Sequence, residues 1–98
     1  MNNLIENIDI NKRLNNIFKN RFDIDLFNNE LNINSDDNLL GIKFKLAPRD
    51  LIYLLYDVEK EFRITISKDD IDNIEFNTIN NIINIINLKL DQKKRNVI

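Results

Sequence analysis

The chain has 98 residues, of which 43% are hydrophobic and 31% charged, and its formal net charge is -2. This length supports one domain, residues 1–98, with a single modest core, and the composition is typical of a folded globular protein. The slight negative charge leaves no basic stripe of the kind that binds nucleic acid, so we expect no nucleic-acid partner.

Cysteine and histidine are both absent from the sequence. The chain therefore has no disulfide framework, no thiolate nucleophile and no zinc–cysteine site. Without histidine, it also lacks the imidazole that most often serves as general base and as transition-metal ligand. We therefore expect neither an enzyme nor a metal site. No apolar run reaches the roughly 18 residues of a membrane span, and the amino end lacks a signal peptide's apolar core. We therefore expect a cytoplasmic protein without membrane contact.

The amino-terminal part of the chain predicts a first helix. Its first eight residues, MNNLIENI, are either a ragged extension or an additional helical turn. From Asp9, which is suited to cap a helix, the pattern sharpens. Arg21 lies at the edge of an apolar stripe with nearly helical spacing, formed by Ile10, Leu14, Ile17, Phe18 and Phe22.

A long connection follows, from about residue 23 to residue 47, with scattered apolar residues at Ile24, Leu26, Phe27, Leu31 and Ile33. Ser35, followed by two aspartates, is expected to cap a brief turn that ends at LLG (39–41). Gly41 is the only glycine, and we expect it to adopt left-handed backbone geometry.

The segment GIKFKLA (41–47) alternates apolar and basic residues. One interpretation places Ile42, Phe44 and Leu46 in the core while Lys43 and Lys45 remain in water. The other interpretation makes this segment part of a partner-binding surface, with Lys43 and Phe44 as contacts.

Pro48 is expected to open a second helix, because proline is favoured where the missing N–H would have no partner. The segment that follows has one apolar face, formed by Leu51, Leu54, Leu55, Val58 and Phe62. A second stripe lies opposite the leucines, at spacings of 4, 3 and 4, and is formed by Arg49, Tyr53, Tyr56 and Lys60.

We interpret this second stripe, which Asp50 and Asp57 border, as a partner-binding face. Tyrosines on a solvent-facing helix surface are amphipathic anchors of the kind that dominate interface energetics. Tyr53 lies nearest the centre of the stripe. The alternative is that one or both tyrosines pack under the amino-terminal segment or the long loop.

The carboxyl-terminal part predicts a short helix and then a long one. RITIS (63–67) is extended, and Ser67 is expected to cap a short helix that has Asp69 and Asp70 in its first turn. Thr78 is expected to cap the last helix, whose apolar stripe is Ile79, Ile82, Ile83, Ile86 and Leu90. The sequence therefore predicts an all-α fold, a small four-helix bundle of three main helices and one short one, with a long loop between helices 1 and 2.

Several of these segments resemble acyl carrier proteins over roughly residues 10 to 90. LLYDVEKEFRITISKDDI resembles the carrier's second helix, the extended link and the acidic short helix, and FNTINNIINII resembles the start of its last helix. SDDNLLG resembles the stretch before the carrier's active site. More narrowly, the chain resembles the acyl carrier-related proteins encoded beside bacteriocin-like peptide-maturation systems. The resemblance implies an acyl-carrier-like bundle.

A working carrier has Asp-Ser-Leu at the start of its second helix, and the serine bears phosphopantetheine. Counting back from VEKEF (58–62), the serine's place falls on Pro48; counting forward from LG (40–41), it falls on Phe44. Neither residue has a hydroxyl. The only serines are Ser35 and Ser67, which lie before and after the second helix.

The resemblance therefore implies a non-catalytic adaptor of a peptide-maturation system that carries no phosphopantetheine. Its partner would be a modifying enzyme or a precursor peptide. The expected contacts are Arg49, Tyr53, Tyr56, Lys60, Lys43 and Phe44. One alternative is an active carrier that is phosphopantetheinylated on Ser35. Another is an unrelated helical bundle that shares only the carrier's sequence pattern.

Overall fold

The computed structural model describes the backbone of residues 3–95 and the side chains of residues 9–94, and the described chain is helical without strands. In chain order the helices are α1 (Asn3–Phe22), α2 (Pro48–Phe62), α3 (Lys68–Asn73) and α4 (Ile79–Arg95). A 3-10 turn at Asn29–Leu31 interrupts the long loop between α1 and α2. The prediction of an all-α bundle with three long helices and one short helix is confirmed.

One hydrophobic core joins the three long helices, the long loop and the link after α2. Its fully buried centre consists of Leu14, Phe18, Leu39, Leu54, Val58, Ile82, Ile85 and Ile86. Ile85 lies outside the stripe that the sequence predicts for α4, whereas the predicted Ile83 and Leu90 are only half-buried. The buried and half-buried residues therefore cover a wider arc of the α4 surface than the predicted stripe does.

Helix α1 begins before Asp9, so the prediction that Asp9 caps it is wrong. Residues 3–8 are helical, whereas Met1 and Asn2 lie outside the described residues. Because Asp9 lies inside the helix, its backbone N–H belongs to the helical ladder rather than to a cap. The Asp9 carboxylate instead accepts a hydrogen bond of 3.2 Å from Arg13, one turn later.

The turn at Ser35 is present, but neighbouring side chains cap it. The Asn34 side chain accepts a hydrogen bond of 2.9 Å from the N–H of Asp36, and the Asp37 carboxylate accepts one of 2.7 Å from the N–H of Asn34. The carbonyl of Ser35 accepts a 3.0 Å hydrogen bond from the N–H of Asn80. This turn is therefore joined to the first turn of α4.

Gly41 does not have positive φ, so the prediction of left-handed geometry there is wrong. The described residues with left-handed backbone are Asp23, Asn32, Lys45 and Arg63. A Cβ atom at Gly41 would lie 3.0 Å from the carbonyl oxygen of Asn38, which accepts the N–H of Gly41. Glycine is therefore favoured here by the close approach of the Asn38 carbonyl within the same turn.

The ends of α2 agree with the sequence. Pro48 is its first residue, and the Asp50 carboxylate accepts a 2.8 Å hydrogen bond from the N–H of Ala47, which closes the amino end. At the carboxyl end, Arg63 adopts left-handed geometry and donates its N–H to the carbonyl of Glu59. These two caps set the length of α2.

Caps also begin the last two helices as predicted. Ser67 and Asp70 form a reciprocal capping box on α3, with hydrogen bonds of 2.8 and 3.2 Å. The hydroxyl of Thr78 accepts a 3.1 Å hydrogen bond from the N–H of Asn81 at the start of α4.

Candidate partner-binding face

The four residues that the spacing placed on one stripe of α2 are all exposed in the folded protein. We call this surface the α2 face; it consists of Arg49, Tyr53, Tyr56 and Lys60. Tyr53 is 49% exposed and Tyr56 is 60% exposed, so neither is buried under the described part of α1 or under the loop. The opposite side of the same helix is buried at Leu54, Val58 and Phe62.

Ile52 extends the apolar part of this face. It is 67% exposed and lies one helical turn before Tyr56 and about one turn after Arg49. The exposure of Ile52 could have been predicted from the sequence, because Ile52 is an apolar residue outside the leucine stripe. An isoleucine and two tyrosines therefore lie together on the solvent side of α2.

Arg21 of α1 contacts α2 at two residues, Asp57 and Tyr53. Its guanidinium donates two hydrogen bonds of 2.8 Å to the Asp57 carboxylate, and its central carbon lies 5.2 Å from the ring centre of Tyr53. The hydrogen bonds to Asp57 raise the pKa of Arg21 above its ordinary value. The guanidinium of an arginine is charged at all physiological pH values. Tyr53 is therefore oriented by a neighbour while much of its ring remains in solvent.

The two aspartates that border the face have structural partners. Asp50 closes the amino end of α2, and Asp57 pairs with Arg21. The Asp57 side chain is only 19% exposed. The outer surface of α2 is consequently dominated by aromatic, aliphatic and basic groups.

The structure separates Phe44 from the predicted contact surface. Phe44 is 4% exposed, and its ring centre lies 6.0 Å from that of Phe18 in the core. Lys43 pairs with Asp37 at 3.1 Å and donates a 2.9 Å hydrogen bond to the carbonyl of Asn32. The prediction of Phe44 as an accessible contact is therefore wrong, and Lys43 is engaged within its own loop.

The interpretation that the 41–47 segment fills the core is correct at two of its three apolar positions. Phe44 and Leu46 are buried, whereas Ile42 is 87% exposed. The left-handed backbone at Lys45 and the hydrogen bond from its N–H to the carbonyl of Gly41 explain the irregular pattern. A turned segment does not alternate its side chains as an extended one does.

The residues at the start of α2 do not fit a phosphopantetheine group. Attachment needs a hydroxyl there, and Pro48 follows Ala47 and precedes Arg49. Phe44, the other position that the counting allows, is buried. Ser35 is exposed and lies in the long loop, before the start of α2.

Within residues 3–95, no helix combines the length and the apolar character needed to cross a membrane. The described side chains also include no group of three or more His, Cys, Asp or Glu residues arranged to hold a metal ion.

Comparisons with known proteins give no assignment. No family model, no curated protein and no solved structure matches this chain.

Proposed function

We propose that this protein is a non-catalytic adaptor that binds a protein or peptide partner through the α2 face. The observation that carries the proposal is the exposure of Ile52, Tyr53 and Tyr56 on one side of a helix whose other side is buried. Clustered exposed apolar groups with polar neighbours are typical of interaction sites. Arg49 and Lys60 supply those polar neighbours.

Energetics favour the tyrosines as the anchors of such an interface. A tyrosine buries a large ring with few rotatable bonds, and its hydroxyl can still bond to water or to the partner. Arg21 already restricts the ring of Tyr53, which reduces the ordering cost on binding. Tyr53 is therefore expected to contribute more than Tyr56 to the affinity.

The resemblance to acyl carrier-related proteins extends this proposal to a cytoplasmic peptide-maturation system. The partner would then be a modifying enzyme or a precursor peptide. Proline at the start of α2 supports a role without phosphopantetheine, because the attachment chemistry requires a hydroxyl. In this proposal the bundle presents a surface and performs no group transfer.

Co-purification with the products of neighbouring genes tests the adaptor function. The tagged protein should retain one such enzyme or precursor peptide, and Tyr53→Ala/Tyr56→Ala should retain much less of it. The matched control is Phe27→Ala/Leu31→Ala, because these two side chains are also exposed but lie in the long loop. Equal retention by the two double variants would reject the α2 face.

Intact-mass measurement tests whether the protein is a carrier. The chain is incubated with coenzyme A and a phosphopantetheinyl transferase of broad specificity, and we expect no mass gain. A phosphopantetheine adduct that disappears in Ser35→Ala would show an active carrier instead.

A further inference from the structure

A polar cleft lies between α1 and α2, next to the α2 face. Its volume is about 840 Å³, which is within the range of ligand sites. The nearly buried side chains of Ile17 and Phe62 contribute to its base. The polar residues on which the following argument depends are Arg13, Arg21, Asp57, Lys60, Glu61 and Arg63.

Two ion pairs between the helices occupy part of this lining. Arg13 donates to the Glu61 carboxylate at 2.8 Å and to the Glu61 carbonyl at 2.6 Å. Arg21 donates two hydrogen bonds to Asp57. Because α1 residue 13 meets the end of α2 and residue 21 meets its middle, the helices run in opposite directions along the cleft.

Two further cations line the cleft without an ion-pair partner among the described side chains. These are Lys60, in the last turn of α2, and Arg63, the residue that ends the helix. Both side chains line this cleft, although Arg63 has left-handed backbone geometry and is not part of the helix. Four cations and two carboxylates give the cleft a charge of +2, whereas the whole chain carries -2.

We propose that this cleft binds an acidic peptide segment with two or more closely spaced carboxylates, which pair with Lys60 and Arg63. The proposal deepens the proposed function, on which it rests because Lys60 also belongs to the α2 face. Charge complementarity carries it, since the excess of positive charge is local and is opposite in sign to that of the whole protein.

The arrangement favours spaced carboxylates over a compact phosphate. A phosphate is bound best by converging donors, especially by an arginine fork that is free to bind in bidentate fashion. Both arginines of α1 in this cleft already use their guanidinium groups on Glu61 and Asp57. Among the described side chains of the cleft, the cations that remain for a ligand are the Lys60 ammonium and the single free fork of Arg63, a pair that suits two carboxylates better than one phosphate, which needs more converging donors.

Fluorescence anisotropy with a labelled peptide tests the site directly. The probe is an acidic peptide of about 12 residues built from the repeat Glu-Glu-Leu, and its neutral counterpart has Gln-Gln-Leu. We expect the acidic probe to bind and the neutral probe to bind far more weakly. Raising the salt concentration from about 0.05 M to 0.5 M should weaken the acidic probe's binding.

The double variant Lys60→Gln/Arg63→Gln should lose roughly 5- to 20-fold in affinity for the acidic probe. Its matched control is Lys12→Gln/Lys68→Gln, which makes the same change in net charge at two exposed positions outside the cleft. Melting curves of both variants verify the fold. Equal affinities for the two double variants would overturn the proposal.

Asp57→Asn gives a prediction in the opposite direction. It removes a negative charge from the cleft and frees the Arg21 fork for the peptide, so affinity should rise roughly 2- to 5-fold. A folded Asp57→Asn protein that binds the probe no more tightly than wild type would contradict a site in this cleft. Displacement of the probe by inorganic phosphate as effectively as by unlabelled acidic peptide would show a phosphate site instead.

Failure of this proposal can be distinguished from failure of the α2 face. Arg63 lies in the cleft but outside the α2 face, whereas Tyr53 and Tyr56 lie on the face but do not line the cleft. If the acidic probe does not bind, the proposal for the cleft is rejected. The proposal for the α2 face is then still tested separately, by partner capture with the tyrosine variants.

Discussion

The guanidinium of Arg21 lies over the ring of Tyr53, with 5.2 Å between the guanidinium carbon and the ring centre. The same group donates two hydrogen bonds to Asp57, one turn further along α2. A planar, always charged fork can stack on a ring and bind a carboxylate at once, which the ammonium of lysine cannot do. α1 therefore orients the residue at the centre of the α2 face.

Asn15→Ala should destabilise the fold, because Asn15 is a buried polar residue that joins the long loop to α1. Its side-chain oxygen accepts a 2.6 Å hydrogen bond from the N–H of Leu26, and its amide donates to Asp25 at 3.2 Å. Removing these bonds should lower the free energy of unfolding by about 1–2 kcal/mol, measured by urea denaturation.

The control for this change is Asn16→Ala, at the exposed neighbouring position on the same helix. Both substitutions alter helix propensity equally, so the difference between them isolates the loop contacts. If Asn15→Ala is as stable as Asn16→Ala, these hydrogen bonds do not anchor the loop.

Phe44→Ala and Ile42→Ala should differ sharply, although the two residues are only two positions apart. Phe44 is buried against Phe18, so its truncation should cost about 3–5 kcal/mol of unfolding free energy. Ile42 is exposed, and its truncation should change stability by less than about 0.5 kcal/mol. Thermal melting of the two variants makes the comparison, and a costly Ile42→Ala would show that the loop packs differently.

Asp70 should make stability depend on pH in the acid range. The hydrogen bond from the N–H of Ser67 lowers the pKa of Asp70 below its ordinary value of 3.8, and Lys89 and the Ser67 hydroxyl lower it further. A carboxyl whose folded pKa is depressed stabilises the fold above its unfolded pKa, and this contribution is lost as the pH falls through the folded pKa. Unfolding free energy should therefore decline below about pH 4.

Asp70→Asn should cost about 1 kcal/mol at neutral pH and should reduce the acid-dependent loss, as measured by denaturation at several pH values. Asp69→Asn is the matched control, since Asp69 is exposed in the same helical turn but takes no part in the capping box. An unchanged pH profile in Asp70→Asn would contradict the role of this carboxylate.

Local patterns in the sequence predicted the helices well because each long helix has a regular apolar stripe. Pro48, Ser67 and Thr78 begin their helices as expected, since capping depends on residues within one turn. The four residues of the α2 face were also found by spacing alone. Exposure on a regular helix follows directly from which side is apolar.

The long loop and the cleft could not be predicted in this way. The burial of Phe44 and the exposure of Ile42 depend on a left-handed turn at Lys45, for which the sequence carries no glycine. The pairs Arg13–Glu61 and Arg21–Asp57 join residues 48 and 36 positions apart, and no local spacing reports such contacts. Tertiary packing brings these charges together.

The measurement that tests the central claim most directly is the affinity for the partner retained in co-purification, determined by calorimetric titration. We expect Tyr53→Ala/Tyr56→Ala to bind that partner roughly 10- to 100-fold more weakly than wild type, while its unfolding free energy falls by no more than about 1 kcal/mol. The loop variant Phe27→Ala/Leu31→Ala should bind like wild type. Unchanged affinity in the tyrosine variant, or a collapse of its melting transition, would contradict the assignment of Tyr53 and Tyr56 to a binding surface.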